Sequence, residues 1–392
     1  MSEQIVIVGA KRTAMGGFMG GLSDVAAPDL GAVAIKAALE QAGISGEKVS
    51  EVLMGCVLPA GLGQAPARQA VLKAGLPLSA GATTLNKVCG SGLKTVMLAH
   101  DLLKAGSADV VIAGGMESMT NAPYLLPKAR AGMRMGHGEV KDHMMLDGLE
   151  NAYDGKAMGC FAQGTANEQG FSREDMDRFA IKSTTRAQQA IANGAFTAEI
   201  APVTIQSRKG EVVFAIDEQP GNAKIDKIPG LRPAFAKDGT ITAANSSSIS
   251  DGAAALVLMR ATDAKAHNCD VLATVVGHTT HSMEPALFTV APVGAMQKLL
   301  NKLGWGVHDV DLWEINEAFA MVTMLAVKEL GLDEAKVNVN GGACALGHPI
   351  GASGARILVT LIHALKARGL KRGIASLCIG GGEAVALAVE VA

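Results

Sequence analysis

The sequence has few aromatic residues and few charged ones. Among its 392 residues there are 2 Trp, 2 Tyr and 9 Phe, and Asp, Glu, Lys and Arg together make up 18%. Half of the residues (49%) are hydrophobic, which excludes an intrinsically disordered chain, because such chains have little apolar surface to bury. The core must be built mainly from Ala, Val, Leu, Ile and Met. At roughly 100–200 residues per domain, the length indicates two or three domains.

An excess of basic residues and long apolar segments are also lacking. The 35 Lys and Arg residues nearly balance the 37 Asp and Glu residues, which argues against nucleic-acid binding, since that needs a basic face. No stretch of 18 apolar residues occurs, so we predict no membrane span. The first residues have neither the apolar core of a signal peptide nor the composition of a transit peptide. We therefore expect a cytoplasmic protein.

Paired cysteines and the common nucleotide-binding motifs are missing as well. The six cysteines form no Cys-x-x-Cys pair, which argues against zinc fingers and redox pairs and favours free thiols. The glycine-rich stretches match neither the dinucleotide-binding Gly-x-Gly-x-x-Gly pattern nor the P-loop. No cluster of metal ligands is visible. We therefore predict that no nicotinamide, nucleotide or metal cofactor is bound.

The sequence does contain a regular alternation of apolar strands and amphipathic helices. This alternation predicts an α/β fold with layered, mixed sheets. After residue 250 the same succession returns, and residues 109–117 match 374–383 in apolar spacing and in their glycine pair. We therefore predict two similar halves, an N-terminal one of residues 1–117 and 145–268 and a C-terminal one of residues 269–392. Later elements include a helix over 317–330 and a strand over 337–340.

A cysteine between a predicted strand and a predicted helix is the first candidate site residue. In Asn-Lys-Val-Cys-Gly-Ser-Gly, Cys89 stands directly before the helix predicted from Ser91. A helix N-terminus carries partial positive charge and free N–H groups, and both lower the pKa of a thiol. We therefore predict that Cys89 is a nucleophile rather than a buried structural cysteine.

Three further polar residues stand beside glycines or at strand ends. His348, in Gly-His-Pro-Ile-Gly, can act as a base towards a thiol or donate to an oxyanion, or it can merely cap the next helix. Cys378 precedes Gly380 at a strand end and can exchange protons with a substrate. Asn316 can hold a water, serve as a helix N-cap, or do both. We interpret the other eight histidines and Cys56, Cys160, Cys269 and Cys344 as structural.

Taken together, these stretches resemble the thiolase family. Asn-Lys-Val-Cys-Gly-Ser-Gly, Asn-Glu-Ala-Phe-Ala, Gly-His-Pro-Ile-Gly-Ala-Ser-Gly and Cys-Ile-Gly-Gly-Gly occur in the family's order, and the likeness starts at Ile5. The resemblance implies a duplicated five-layered α-β-α-β-α fold with an inserted loop region. It also implies a homotetramer, tethered by an excursion over residues 118–144.

Within the family, the sequence is most similar to the acetyl-CoA C-acetyltransferases. This implies a reversible Claisen condensation of two acetyl-CoA molecules to acetoacetyl-CoA and CoA, through an acetyl-cysteine. Cys89 would be the nucleophile, His348 the group that activates it, and Cys378 the acid and base at the α-carbon. His348 Nε2 and a water held by Asn316 would form one oxyanion hole. The N–H groups of Cys89 and Gly380 would form the other.

The resemblance also implies which residues bind the substrate, with coenzyme A as a substrate rather than a cofactor. The residues expected to line the tunnel are Met158, Phe235, Ser247, Phe288, Ala318 and Phe319. The loops that bind CoA would lie within about residues 145–250, where Ala157 departs from the family's frequent His. The candidates for the CoA phosphates, unless they are merely solvated surface charges, are Lys156, Arg208, Lys224 and Lys227.

Two alternatives stay open. A broader 3-ketoacyl-CoA thiolase of fatty-acid or isoleucine breakdown has the same catalytic residues, and a non-catalytic acyl-CoA-binding protein has no need of them. The segment 285–292 is similar to that of thiolases that accept a methyl branch at carbon 2, with Phe288 in place of a common Met. The stiff ring would leave a slot that a flexible Met fills, although a simple change in core packing explains the exchange equally well.

Overall fold

The computed structural model describes residues 3–207 and 210–391 of the chain. The strands are β1 (Ile5–Thr13), β2 (Gly16–Gly17), β3 (Glu51–Gly55), β4 (Gly81–Leu85), β5 (Val110–Ser118), β6 (Tyr124–Leu125), β7 (Lys141–Asp142), β8 (Ile200–Ala201), β9 (Val203–Ser207), β10 (Gly210–Phe214), β11 (Ser250–Arg260), β12 (Ala273–Ser282), β13 (Leu312–Ile315), β14 (Arg372–Ile379) and β15 (Glu383–Glu390). The helices are α1 (Ala27–Ala42), α2 (Pro66–Lys73), α3 (Ser91–Ala105), α4 (Met158–Glu168), α5 (Arg173–Ala192), α6 (Glu218–Asn222), α7 (Ala261–Ala266), α8 (Ala291–Leu303), α9 (Ala320–Leu330), α10 (Ala343–Leu346) and α11 (Ser353–Arg368).

Local sequence signals set the ends of the main helices. The Ser172 hydroxyl caps α5 by accepting from Asp175 N, and the Asp175 carboxylate accepts from the Ser172 N–H, which forms a capping box. Helices α1, α3 and α11 end at Gly43, Gly106 and Gly369, whose φ angles of 66°, 72° and 63° lie in the left-handed region. Over the described ranges 3–207 and 210–391, no helix combines the length and apolarity that a membrane span requires.

In the described part of the chain, eleven strands form one continuous sheet, whose two parts, called here the N-terminal and the C-terminal sheet, have similar designs. The N-terminal sheet has the order β4-β3-β5-β11-β1 and the C-terminal sheet the order β12-β15-β14-β13. The N-terminal sheet contains two parallel pairs, β4–β3 and β3–β5, and the C-terminal sheet one, β13–β14. The remaining neighbours in each are antiparallel.

The two sheets meet where β1 pairs with β12 over two residues. Both of these strands contain a register shift, in β1 between Ile7 and Gly9 and in β12 between Val275 and Gly277. The two halves therefore resemble each other even in the irregularity of these strands.

Five layers result from the way the helices cover the two sheets. Helices α3 and α11 lie between the sheets, and Leu93 and Ile357 share one apolar cluster with the facing strands. Helices α1 and α2 cover the outer face of the N-terminal sheet, and α8 and α9 cover that of the C-terminal sheet. The predicted duplicated α-β-α-β-α fold is therefore confirmed.

One predicted strand does not form. Within 337–340, Val337 makes only an isolated bridge with Trp313. Asn338 then turns the chain with a φ of 46°. Its side-chain amide donates to Ile315 O, where a further strand residue would donate with its backbone N–H. Helix α4 and the β9–β10 hairpin were not predicted. They lie between residues 117 and 250, where the alternation of apolar strands and amphipathic helices is least regular.

Candidate active site

A largely apolar pocket of about 270 Å³ lies where the two halves meet. The predicted site residues that line it are Cys89, Met158, Phe235, Ser247, Phe288, Ala318, Phe319, His348, Cys378 and Gly380. Asn316 does not line the pocket itself but contacts His348, which does. Ala157, named above for its departure from the family's His, also lines the pocket. The pocket residues that were not predicted individually are Met119, Met145, Gly148, Leu149, Gly159, Ser246, Ser248, Ile249 and Ile350.

The two central helices begin side by side at this pocket. Two glycines permit their close approach: a Cβ on Gly92 would lie 2.7 Å from Ala355 N, and one on Gly354 would lie 2.3 Å from Leu93 N. Neither gap can hold a side chain. The positive ends of both helices therefore point towards the same place.

A strained turn presents Cys89 to the pocket. Val88 has a φ of 46°, a conformation that a β-branched residue rarely adopts. Side chains hold the turn: Asn86 Oδ1 accepts from Val88 N at 2.8 Å, and Ser91 Oγ donates to Val88 O at 2.7 Å while accepting from Lys87 N at 2.8 Å. Such strain persists only where surrounding contacts enforce it, and it is frequent at functional sites.

The pKa of Cys89 differs from the sequence-based expectation. Burial raises it to about 11, although the N–H groups of Gly380 and of Cys89 itself donate towards the sulfur and lower it. The expectation that the helix N-terminus leaves Cys89 with a lowered pKa is therefore wrong for the free protein. At neutral pH the group is a thiol, and a base must take its proton before it can act as a nucleophile.

His348, which lines the same pocket as Cys89, is the candidate for that base. Ser353 Oγ lies 2.5 Å from His348 Nδ1 and donates its own proton to Pro349 O at 3.0 Å. Oγ therefore accepts from Nδ1–H, and this network assigns the free lone pair to Nε2. Burial, and then the positive charge of Arg356, lower the pKa of His348 to about 3. The imidazole is thus neutral and able to accept a proton.

Asn316 faces the same imidazole. Its Nδ2 lies 3.4 Å from His348 Nδ1 and 3.5 Å from Nε2. Within the described part of the chain, no donor reaches its buried Oδ1. The N-cap interpretation is wrong, because α9 begins at Ala320 rather than at residue 317 and Phe319 occupies the N-cap position. The start of the helix is delayed because Phe319 pairs with Ser246 in an extended bridge.

The loop opposite α9 is clamped to the site by hydrogen bonds. The N–H and the hydroxyl of Ser247 both donate to Ala318 O, at 2.9 and 3.0 Å. The N–H of His348 donates to Ser248 O at 3.1 Å. Because the Ser247 hydroxyl donates its proton to Ala318, its oxygen remains available as an acceptor from a substrate N–H.

The far wall combines Cys378 with aromatic rings. Burial, and then the neighbouring Cys89, raise the pKa of Cys378 far above that of an ordinary thiol. Phe288 is only 3% exposed, and Phe235 stacks edge-to-face on Phe319 with ring centres 6.1 Å apart. Cys378 is therefore a protonated thiol in an apolar environment, which would be a strong base once ionised.

Glu117 is a buried polar residue near the pocket that the sequence analysis did not select. Its carboxylate accepts from the N–H groups of Val57, Leu58 and Gly351 at 2.9, 3.1 and 2.8 Å. It thereby ties strand ends of the N-terminal half to the segment that carries His348. The available signal was the Gly-Gly-Met-Glu sequence at 114–117, whose repeat was recognised but not interpreted chemically.

The phosphate candidates lie away from the pocket wall. Lys156 is exposed and pairs with Asp154 at 3.1 Å. Lys224 and Lys227 are exposed. None of these three lysines lines the pocket, and Arg208 lies outside the described residues.

Comparison with known families agrees with this arrangement. Residues 5–262 match the model of the thiolase N-terminal domain, and residues 269–391 match that of the thiolase C-terminal domain. The chain belongs to the thiolase family. The family resemblance inferred from the four motifs is therefore confirmed.

Full-length relatives of this thiolase include bacterial enzymes. It is 52% identical to the acetyl-CoA acetyltransferase of Cupriavidus necator over 98% of this chain and 99% of the relative. It is also 52% identical to the acetyl-CoA acetyltransferase of Escherichia coli (strain K12), over 99% of each chain. The crystal structure of the Bacillus anthracis acetyl-CoA acetyltransferase superposes with a TM-score of 0.97, at 41% identity, over 100% of this thiolase and 99% of that chain.

Proposed function

We propose that this thiolase is an acetyl-CoA C-acetyltransferase, which condenses two acetyl-CoA molecules to acetoacetyl-CoA and CoA and catalyses the reverse thiolysis. The observation that carries the proposal is the convergence of Cys89, His348 and Cys378 on one apolar pocket. The names of its full-length relatives support the same activity.

In the first step, Cys89 Sγ attacks the thioester carbonyl of acetyl-CoA. Its proton passes to His348 Nε2, and CoA leaves with that proton, so that acetyl-Cys89 remains. Because a Cys89 pKa of about 11 and a His348 pKa of about 3 disfavour a preformed ion pair, proton transfer accompanies the attack. The N–H groups of Cys89 and Gly380, already directed at the sulfur, stabilise the oxyanion.

In the second step, Cys378 first gives up its proton to solvent through the open pocket and then acts as a thiolate. It removes a proton from the methyl carbon of a second acetyl-CoA, and the resulting carbanion attacks acetyl-Cys89. The bond to Cys89 Sγ breaks, and the proton held by Cys378 returns to that sulfur. The enolate oxygen is stabilised by a water bound to Asn316, whose Oδ1 lacks a donor among the described residues. His348 Nε2 would contribute a second hydrogen bond when the imidazole carries its proton on Nε2 instead of Nδ1.

Substrate binding follows from the remaining pocket residues. Ser247 Oγ, which donates to Ala318 O, would accept from the pantetheine arm of CoA. Phe288, in the apolar cluster that includes Cys378, would close the acyl end. The loop region of about residues 145–250 would hold the rest of CoA. In this mechanism CoA is a substrate, and the catalytic steps use no metal or bound cofactor.

Assembly into a homotetramer in the cytoplasm completes the proposal. The 118–144 excursion exposes Tyr124 (70%), Met135 (98%) and Val140 (61%). Exposed apolar side chains concentrated in one segment are typical of a protein interface. This segment would tether the subunits, while residues 1–117 with 145–268 and residues 269–392 form the two catalytic halves.

A thiolysis assay tests this function. Acetoacetyl-CoA mixed with CoA should lose its enolate absorbance, and acetyl-CoA alone should leave an acetyl group on the Cys89 peptide, detected by mass spectrometry. Cys269→Ala, whose sulfur lies outside the pocket, should behave like the unmodified protein. Acetyl label on a cysteine other than Cys89 would contradict the mechanism, and failure to consume acetoacetyl-CoA would contradict the activity.

A further inference from the structure

Three metal-ligating side chains meet at a point that the catalytic mechanism does not use. His100 and Asp101 lie on the central helix α3, and His278 lies on β12, the first strand of the C-terminal half. Asp101 Oδ1 is 3.0 Å from His100 Nδ1 and 3.0 Å from His278 Nε2. The two ring nitrogens are 3.3 Å apart. One atom from each side chain thus forms a compact triangle.

The sides of this triangle, 3.0, 3.0 and 3.3 Å, are within about half an ångström of the spacing around a coordinated metal ion. Zn²⁺ binds imidazole nitrogen and carboxylate oxygen at about 2.0–2.2 Å in tetrahedral geometry, which places ligand atoms roughly 3.3–3.5 Å from one another. We propose that His100, Asp101 and His278 form a binding site for a divalent transition-metal ion such as Zn²⁺. Water would fill the fourth position.

The three atoms are close enough for one small ion to reach all of them. Both ring nitrogens lie 3.0 Å from the single oxygen Oδ1 of Asp101, and they face each other at 3.3 Å. Without an ion, both rings can donate to Asp101, because a carboxylate oxygen accepts two hydrogen bonds. With an ion just outside the plane of the triangle, the same three atoms would act as electron donors to it.

The surroundings allow a cation to enter. The His278 side chain is 13% exposed, so protein surrounds one side of the site. The Asp101 side chain is 54% exposed, so an ion can reach the site from solvent. The positive charge of Lys302 would repel a bound cation. Its Nζ donates to His278 O at 3.2 Å in an exposed position, so solvent screens this repulsion.

The position of the site assigns it a structural rather than a catalytic role. His100 is nine residues beyond the start of α3, roughly 14 Å along the helix from the end that faces the pocket. A metal there would link the central helix of the N-terminal half to the first strand of the C-terminal half. It should therefore stabilise the pairing of the halves without entering the reaction.

Titration of the metal-free full-length protein with Co²⁺, and competition with Zn²⁺, tests the proposal. The native protein should show visible d–d absorption of tetrahedral cobalt, and Zn²⁺ should displace the cobalt and raise the melting temperature. His278→Ala should bind at least tenfold more weakly and lose the Zn²⁺-dependent rise. His281→Ala, on the same strand but facing α8, should bind like the native protein.

One further variant, and the outcomes that would contradict the metal site, complete the test. His278→Cys replaces one zinc ligand by another, so it should restore binding and add a thiolate-to-cobalt charge-transfer band. If the native protein binds no cobalt, or if His278→Ala binds as well as His281→Ala, the proposal is wrong. A thiolate charge-transfer band in the native protein would also overturn it, because it would locate the ion at a cysteine. Native thiolysis rates in His278→Ala would show that this variant is folded.

Discussion

The two halves share a sheet order and a central helix, yet they contribute different chemistry at the same point. At the start of α3, a strained turn with Val88 at a φ of 46° presents the Cys89 thiol. Before α11, the buried segment 347–352 presents His348, whose ring is fixed by Ser353. Because the two halves have the same framework, the N-termini of α3 and α11 lie side by side. The N-terminal half supplies the proposed nucleophile there, and the C-terminal half supplies the proposed base.

The halves also differ in the connection that leaves the strand after the central helix. The N-terminal half inserts the whole segment 119–249 between β5 and β11, and this segment supplies much of the pocket wall, including Met145 and Phe235. The C-terminal half closes β14 to β15 with a turn of only three glycines, which leaves Gly380 N–H free to donate to Cys89. One half therefore shapes the substrate site, and the other places a backbone donor.

Removing each cysteine in turn should separate the contributions of the halves most strongly. Cys89→Ala should lose acetylation and condensation, whereas Cys378→Ala should still accept acetyl on Cys89 but not make or break the carbon–carbon bond. We expect each to lower kcat by at least roughly 10⁴-fold, without additivity in the double variant, because the two groups act in one sequence of steps. Normal condensation by Cys378→Ala, measured as acetoacetyl-CoA formation, would remove Cys378 from the mechanism.

The pH dependence of alkylation should report the buried state of Cys89. Because burial raises its pKa to about 11, its thiolate fraction should grow about tenfold per pH unit, or about 100-fold from pH 7 to pH 9. Iodoacetamide labelling followed by mass spectrometry measures this rate. A free thiol, with a pKa of about 8.5, should level off above that pH. A Cys89 rate that is already constant at pH 7 would mean that a thiolate exists in the free protein.

The link between the halves through Glu117 should make stability depend on pH. Burial raises the pKa of Glu117 from an ordinary 4.5 to about 7, so folding disfavours its ionised form. Its contribution to stability is therefore full below pH 4.5 and declines as the pH rises towards 7, by about 3 kcal/mol in total. Glu117→Gln should flatten this decline in guanidinium unfolding measured at pH 5 and pH 8.

Two further residues sharpen that measurement. Burial also raises the pKa of Glu314, in the C-terminal half, to about 8, so part of the decline should persist in Glu117→Gln. The exposed Glu47→Gln should leave the pH dependence unchanged. An unaltered slope in Glu117→Gln would show that Glu117 is ionised in the folded protein throughout this range.

The most modest effect concerns the acyl end of the pocket, where the C-terminal half contributes Phe288. If the stiff ring leaves a slot for a methyl branch, Phe288→Met should lower the kcat/KM ratio of 2-methylacetoacetyl-CoA to acetoacetyl-CoA by roughly tenfold, the usual scale for one methyl group. Phe161→Met, outside the pocket wall, should leave the ratio unchanged. An identical ratio in Phe288→Met, or no native activity on the methylated substrate, would show that the exchange only alters core packing.

Features that depend on neighbouring residues could be predicted from the sequence. The helix predicted from Ser91 begins there, as α3, because the periodic apolar positions of a helical face are encoded locally. The repeated order of strands predicted the duplication. Four short motifs identified the family, and their residues Cys89, His348 and Cys378 all line the pocket.

Features that depend on residues far apart in the chain required the tertiary structure. The pKa of Cys89 is set by burial between both halves, which outweighs the local helix N-terminus on which the sequence argument relied. Asn316 lies outside a helix because residues 245–247 hold the following segment extended. His100 and His278 are separated by 178 residues, so no local pattern could bring them together, and their contact exists because α3 packs against the other half.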